Sequence, residues 1–284
     1  MNETISAAPW SGEAKPDDWK GMDDFARGID GNRAPGTAAL AGTTLSVEAD
    51  GGGRLELAFV SADRVRWAEE GGCEGQSSVH SRAVAGRSDG DWYEAVEVRP
   101  GVFFVTLTFA AEPLRASVLV VDVGQGRALT IESHIAPRPT PGRPRVSQNF
   151  LPGTVAGTPA LGSPAAPTRD LIGWRALYRY SPNHLYEHIY LSSERYAWQC
   201  LVGEQRGHGD VDLASTWALG DGLYVFTFRE FLIPVAATWL YDLHAMRTTG
   251  VFFGLGAQGA AQCAPGGAII TELGRVSYPD EQPI

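Results

Sequence analysis

Four places in this chain carry residues whose types and spacing could do chemistry. His184-Leu185-Tyr186-Glu187-His188 has the H-x-x-E-H spacing of an inverted zinc-peptidase site. Gly254 to Gly259 spells G-x-G-x-x-G, which cradles phosphates where it opens a helix. Tyr178 and Tyr180 stand two apart, and Asp221 precedes Gly222-Leu223-Tyr224. Each needs a particular backbone beneath it.

Two of the four lack that backbone. Histidines at this spacing meet one zinc ion only on a shared helix face, yet the segment aligns with the strand-like RLELAF at 54 to 59. On a strand His184 and His188 stand roughly 13 Å apart. No zinc site is expected there, and His80, His134, His208 and His244 show no Cys or Asp at ligand spacing. Behind the glycine motif, Pro265, Gly266 and Gly267 break any helix, so a plain loop replaces the dinucleotide reading. There is no GKS or GKT loop. The expectation is no metal and no cofactor.

The elements that position the remaining residues come from an internal duplication. Residues 40 to 67 align without a gap on 171 to 198, with identities at Leu40/Leu171, Gly42/Gly173, Glu56/Glu187, Ser61/Ser192, Arg64/Arg195 and Trp67/Trp198. After an indel, GVFFVT at 101 to 106 matches GLYVFT at 222 to 227, and Pro113 matches Pro234. A repeat of this length exceeds the roughly 50 residues of solenoid units, so it is a duplicated domain.

Pro16 and the acids of KPDDWKGMDDFARGID predict one short helix within residues 15 to 30. Strand texture follows at 41–49, 53–60, 63–69, 76–85, 91–98, 102–110, 115–122 and 127–135. It returns at 172–181, 184–192, 195–203, 212–219, 223–231, 235–242, 246–254 and 268–277. Between them, residues 137 to 167 contain eight prolines and are expected to form an extended connector that cannot continue a sheet. The division is an N-terminal helical segment (1–30), a barrel (31–136), the connector (137–167) and a second barrel (168–284). The fold class is all-β: two tandem antiparallel up-and-down β-barrels, each of eight short strands.

Composition narrows the function. Of 284 residues, 23 are basic and 33 acidic, for a net charge of −10, and no Lys/Arg run could follow a phosphate backbone. No nucleic acid partner is expected. No apolar run approaches the roughly 18 residues of a membrane helix, and the opening MNETISAAPWSGE has no apolar signal core. Cys73, Cys200 and Cys263 are odd in number and form no CxxC pair, which suits reduced thiols in a cytoplasm. The partner expected is a small hydrophobic or aromatic ligand, with a homodimer as the candidate assembly.

Comparing the copies singles out the second. Tyr178 and Tyr180 replace Val47 and Ala49 and share one strand face. Tyr186, His188 and Tyr190 replace Leu55, Leu57 and Phe59, and Asp221 replaces Pro100. A pair of phenols can hold a ligand carboxylate or phenolate, and a carboxyl raised in pKa by an apolar pocket could move a proton.

RALYRYSPNHLYEHIYLSSERYAW, with GLYVFTFRE and LYDLHAMRTTGVFFG, resembles the MoaF family, named for molybdenum cofactor biosynthesis. The likeness spans residues 23 to 276 and implies two calycin-like (lipocalin-like) barrels. A more distant similarity is to phenolic acid decarboxylases, single calycin barrels that work without a cofactor. Their pattern places Tyr178 and Tyr180 on the substrate-orienting tyrosine pair, Tyr186-Glu187 on a Y-E step, and Asp221 on the proton-transferring acid. Trp198-Gln199 stand where those enzymes have Tyr-Arg. Losing that arginine removes the bidentate partner of a carboxylate and favours a neutral ligand.

The expected function is a cofactor-independent lyase, isomerase or cyclase acting by proton transfer on a small aromatic or polyketide-like molecule. Tyr178, Tyr180, Asp221 and Glu187 would be catalytic, while Tyr186, His188, Tyr190, Trp198, Gln199 and Trp217 would bind substrate. The alternative is a carrier or sensor using the same pocket. A carboxylate within reach of the ligand distinguishes the enzyme from the binder.

Overall fold

In a computed structural model, residues 18–71 and 90–284 are described. After a one-turn helix, α1 (Met22–Phe25), the chain forms β1 (Thr44–Ala49), β2 (Arg54–Phe59), β3 (Arg64–Glu70), β4 (Asp91–Arg99), β5 (Val102–Thr108), β6 (Arg115–Asp122), β7 (Arg127–Ile135) and β8 (Val146–Val155). These close a barrel in sequence order, β8 returning to β1. After the two-residue β9 (Ala166–Pro167) come β10 (Trp174–Ser181), β11 (His184–Tyr190), β12 (Arg195–Val202), β13 (Gly209–Gly220), β14 (Leu223–Arg229), β15 (Val235–Asp242), β16 (Arg247–Leu255) and β17 (Ala261–Arg275). They close a second antiparallel barrel, with β10 beside β17 and β12 beside β13. No helix among the described residues is long and apolar enough to cross a membrane.

The identities between the copies have structural causes. Gly42 and Gly173 take φ of 78° and 80° and donate their N–H groups to the carbonyls of Phe59 and Tyr190. Ser61 and Ser192 open equivalent turns, their N–H groups donating to the carbonyls of Arg64 and Arg195. Trp67 Nε1 donates to Asp91 Oδ2 at 2.8 Å, and Trp198 Nε1 donates to Asp212 Oδ2 at 2.9 Å.

The barrels pack face to face through strands buried on both sides. Val102, Phe104, Val118, Val120, Leu129 and Ile131 of the first meet Leu219, Leu223, Val225, Leu240 and Val251 of the second. That is why β6 and β15 read as continuous apolar runs instead of alternating ones. Arg99 crosses the seam to Asp242, with hydrogen bonds of 2.7 and 2.8 Å.

Two sequence expectations need correction. Residues 146 to 155, assigned by composition to the connector, form β8 and supply the pairing that closes the first barrel. Its Pro152 is accommodated because a proline still offers a carbonyl, which here accepts a hydrogen bond from the Asp50 N–H at 2.9 Å. The helix reduces to one turn at Met22–Phe25, and the strand expected at 76–85 falls outside the described residues, as do Cys73 and His80.

At the closure, a Cβ on Gly153 would lie 2.3 Å from the Glu48 carbonyl oxygen and 3.1 Å from Ala49 Cα. Gly153→Ala is expected to destabilise the protein by about 1–3 kcal/mol through overpacking, read by urea denaturation. An unchanged midpoint would show that the β1–β8 seam is looser than described.

Candidate functional site

In a closed barrel, alternate residues of every strand face the interior. The first barrel fills its interior with Val47, Leu57, Phe59, Val65, Val105, Leu107, Phe109, Leu119 and Val121, all buried. At the equivalent positions the second has Tyr178, His188, Tyr190, Tyr196, Phe226, Phe228, Glu230, Trp239 and Tyr241, also buried. The first interior is mostly aliphatic with a few rings, whereas the second is built almost wholly of rings and holds a cavity. Its volume is about 30 Å³, and it is lined by Tyr180, Tyr186, His188, Tyr196, Trp198, Gln205, Phe228 and Glu230.

Glu230 is the chemical centre of this cavity. It lies one step beyond β14, continuing the inward set of Phe226 and Phe228. Burial pushes its carboxyl well above the usual carboxylate range, and the charges of Asp212 and Asp210 push it further the same way. No Lys or Arg among the described residues lines the cavity. An uncompensated carboxylate there would cost several kcal/mol of desolvation, so the group holds its proton.

Asp212 behaves differently although it too is buried and raised, chiefly by desolvation. Its Oδ2 accepts from Trp198 Nε1, and its Oδ1 accepts from Phe231 N–H at 3.3 Å. The first barrel repeats this arrangement: Asp91 accepts from Trp67 Nε1 and, at 2.9 Å, from Ala110 N–H. The Trp–Asp latch belongs to the fold of both copies. Glu230 stands where the first copy has Phe109, and belongs to the second alone.

Above the cavity floor the phenols satisfy one another. Tyr178 and Tyr190 hydroxyls lie 2.6 Å apart, and Tyr190 and Tyr241 hydroxyls lie 2.8 Å apart. Burial raises all three phenols. His188 stacks on Tyr178 at 4.2 Å between centroids, and burial pushes its imidazole down to about 3, so it is neutral. Tyr186 donates to Gln205 Oε1 at 3.0 Å. Gln205 Nε2 and His188 Nδ1 are buried without a hydrogen-bond partner among the described residues.

The cavity mouth is closed by residues from before the first barrel. Phe25 and Ile29 line it, both almost fully buried, and Trp19 stacks on His208 at 4.8 Å and meets Trp198 edge-on at 6.0 Å. Asp23 accepts from the Ala257 N–H at 2.5 Å and from the Gln262 amide. Asn32 N–H donates to the Tyr180 carbonyl at 2.7 Å. Residues 19 to 33 thus form a strap across the second barrel.

Comparison with known proteins agrees with this two-barrel arrangement. The model of the MoaF N-terminal domain matches residues 17–137, and that of the MoaF C-terminal domain matches residues 165–276. The chain belongs to the MoaF family. Protein MoaF of Klebsiella aerogenes is 34% identical over 171 residues, 57% of this chain and 65% of that protein, so the chain spans just under two thirds of the curated relative's length. A crystal structure from Burkholderia vietnamiensis, provisionally described as a beta-lactamase, aligns at 12% identity with a TM-score of 0.31. It covers 36% of this chain and 95% of its own.

In this MoaF-family chain the residues expected from sequence divide into two groups. Tyr180, Tyr186, His188 and Trp198 line the cavity, and Tyr178 and Tyr190 lie buried behind it in the hydroxyl relay. Glu187 faces the opposite side of β11. There the Arg175 guanidinium and the Gln199 amide, which bonds its Oε2 at 2.5 Å, outweigh the effect of burial and hold its carboxyl below the usual range. Gln199 is exposed beside it. Trp217 stacks on Phe150 of β8 at 5.4 Å, between the barrels. Asp221, 78% exposed, occupies the β13–β14 turn at φ 48° and pairs with Arg99. Asp-Gly there serves the positive-φ hairpin turn, and the carboxylate does not reach the cavity.

Sequence reasoning missed Glu230, Asp212, Gln205 and Tyr196. Period-two counting from Phe226 and Phe228 would have found the first, and the Asp91/Asp212 match the second. Gln205, in the β12–β13 connection, gives no periodic signal.

For Glu230 the unfolded carboxyl ionises near 4.5, whereas the folded one keeps its proton to higher pH. The folded state then binds more protons, so its stability falls as pH rises above that value. Glu230→Gln is expected to match the parent near pH 4.5 and to gain over it by up to about 1.4 kcal/mol per pH unit above that, read by urea denaturation from pH 4.5 to 8. A gain that shrinks with pH would mean that Glu230 is ionised in the folded protein.

Proposed function

We propose that the second barrel is a cofactor-independent enzyme of isomerase or cyclase type, moving a proton within a small aromatic or polyketide-like molecule. The observation that carries this is Glu230, a carboxyl raised in pKa on the lining of an aromatic cavity, where the first copy has Phe109. Glu230 would give its proton to one atom of the substrate. The carboxylate left behind, a strong base because of its raised pKa, would take a proton from another atom of the same molecule. Atoms balance with no second reactant, and the enzyme ends as it began. Tyr180 and Tyr196 supply neutral hydroxyls along the wall, burial raising both phenols.

A carboxylate substrate fits poorly, because no cationic side chain among the described residues lines the cavity to receive it. Decarboxylation is therefore disfavoured. A carrier or sensor would need only the apolar wall and would gain nothing from a buried carboxyl in it.

The test is to incubate the protein in D₂O with a small-molecule extract of the producing cells and to follow deuterium incorporation by mass spectrometry. Carbon-bound deuterium is expected in one compound, with its rate reduced at least about a hundredfold by Glu230→Gln. If a compound is bound equally by parent and variant, and acquires no deuterium with either, the protein is a binder.

A further inference from the structure

Resting on the reading of this cavity as the functional pocket, the chemistry of its walls also narrows what enters. Gln205 is the deciding residue. Its Oε1 is engaged by the Tyr186 hydroxyl at 3.0 Å, which leaves the amide Nε2 as a donor with no partner, 3% exposed and on the cavity lining. A buried donor left unpaired costs about 1–3 kcal/mol, and the Gln205 side chain is part of the cavity lining. His188 Nδ1 is a second buried polar atom without a partner on the same lining.

We propose that the pocket takes a neutral carbonyl compound, a ketone or enone on an apolar ring, whose oxygen accepts a hydrogen bond from the Gln205 amide. The remaining walls agree with that choice. Phe25, Phe228 and Trp198 offer ring faces and no charge. Glu230, protonated as described above, is a further donor. A ligand carboxylate would meet no cation and would stand beside Glu230. A ligand ammonium would require Glu230 to give up its proton and would leave the Gln205 amide still unpaired. A carbonyl oxygen satisfies the donors as they stand and, unlike a hydroxyl, brings no donor of its own to be paired. It is also the group at which a proton shuttle moves a double bond, since charge developing on an enolate oxygen is stabilised by donors already aimed at it.

The test uses four probes of matched shape on the full chain: acetophenone, ethylbenzene, benzoate and benzylammonium, titrated by saturation-transfer NMR. Acetophenone is expected to bind about tenfold tighter than ethylbenzene, the worth of one such hydrogen bond, and benzoate and benzylammonium more weakly than either. Gln205→Leu is expected to remove the preference for acetophenone while retaining ethylbenzene affinity, and Gln205→Met should do the same. A thermal melt of each variant verifies its fold. Equal binding of acetophenone and ethylbenzene, or strongest binding of a charged probe, overturns the carbonyl assignment and leaves the pocket standing. Failure of all four to bind at their solubility limits overturns the pocket as well.

Discussion

A closed antiparallel barrel pairs its backbone completely, so its interior can differ between two copies only in the inward side chains. Every functional statement about this protein follows from that constraint. Given the same strand order and turn geometry, the first copy fills its interior largely with Val, Leu and Phe. The second places Tyr, Trp, Phe and His at the same positions. Rings interdigitate less completely than branched aliphatic chains, and each phenol carries a hydroxyl that must find a partner where there is no water. The Tyr178–Tyr190–Tyr241 relay meets that demand at the centre of the barrel. Toward the mouth it is unmet at Gln205 and His188, and a cavity lies beside them.

The duplication also separates structural from functional acids. Asp212 and Glu230 are both buried and both raised in pKa, Asp212 adding to the rise at Glu230, and on electrostatics alone either could be the acid of the site. The first barrel resolves this. Asp91 makes the same bonds to Trp67 and to a strand-end amide as Asp212 makes to Trp198 and Phe231, in a barrel with Phe109 where the second has Glu230. The Trp–Asp latch therefore ties the barrel together wherever it occurs. Phe109 replaced by Glu230 is the change that introduces an ionisable group into the cavity.

Much of the fold could be read from period-two alternation and turn residues, because a half-buried strand writes its orientation into every second position. That alternation puts Tyr178 and Tyr180 on one face of β10, and both are buried in the core of the second barrel. β8 was not legible that way, because proline content outweighed its alternation, although its Pro152 needs only a carbonyl at its position. Asp221 was misjudged for the opposite reason: a motif match supplied a role to a residue whose type is explained by φ of 48° at a hairpin turn. Glu230 carries the same alternation signal as Phe228, but it lies past the strand's end, where charged residues ordinarily face water. No local pattern could place Gln205 against Tyr186, since their approach depends on how the β12–β13 connection folds back over the barrel.

The strap was equally illegible, because it joins the start of the chain to a barrel that begins some 140 residues later in the sequence. Its consequence is that the two halves are not independent units joined by a connector. Phe25 and Ile29 lie within the segment matched by the N-terminal family model, yet they close a cavity whose other walls belong to the C-terminal one. Docked through Arg99–Asp242 and the apolar seam, the first barrel fixes the point from which the preceding residues reach across the second barrel's mouth. A second barrel without residues 19 to 33 would expose Trp198 and Phe252, which Trp19 and Phe25 cover. The cost of that exposure gives a physical reason for the two units to occur in one chain.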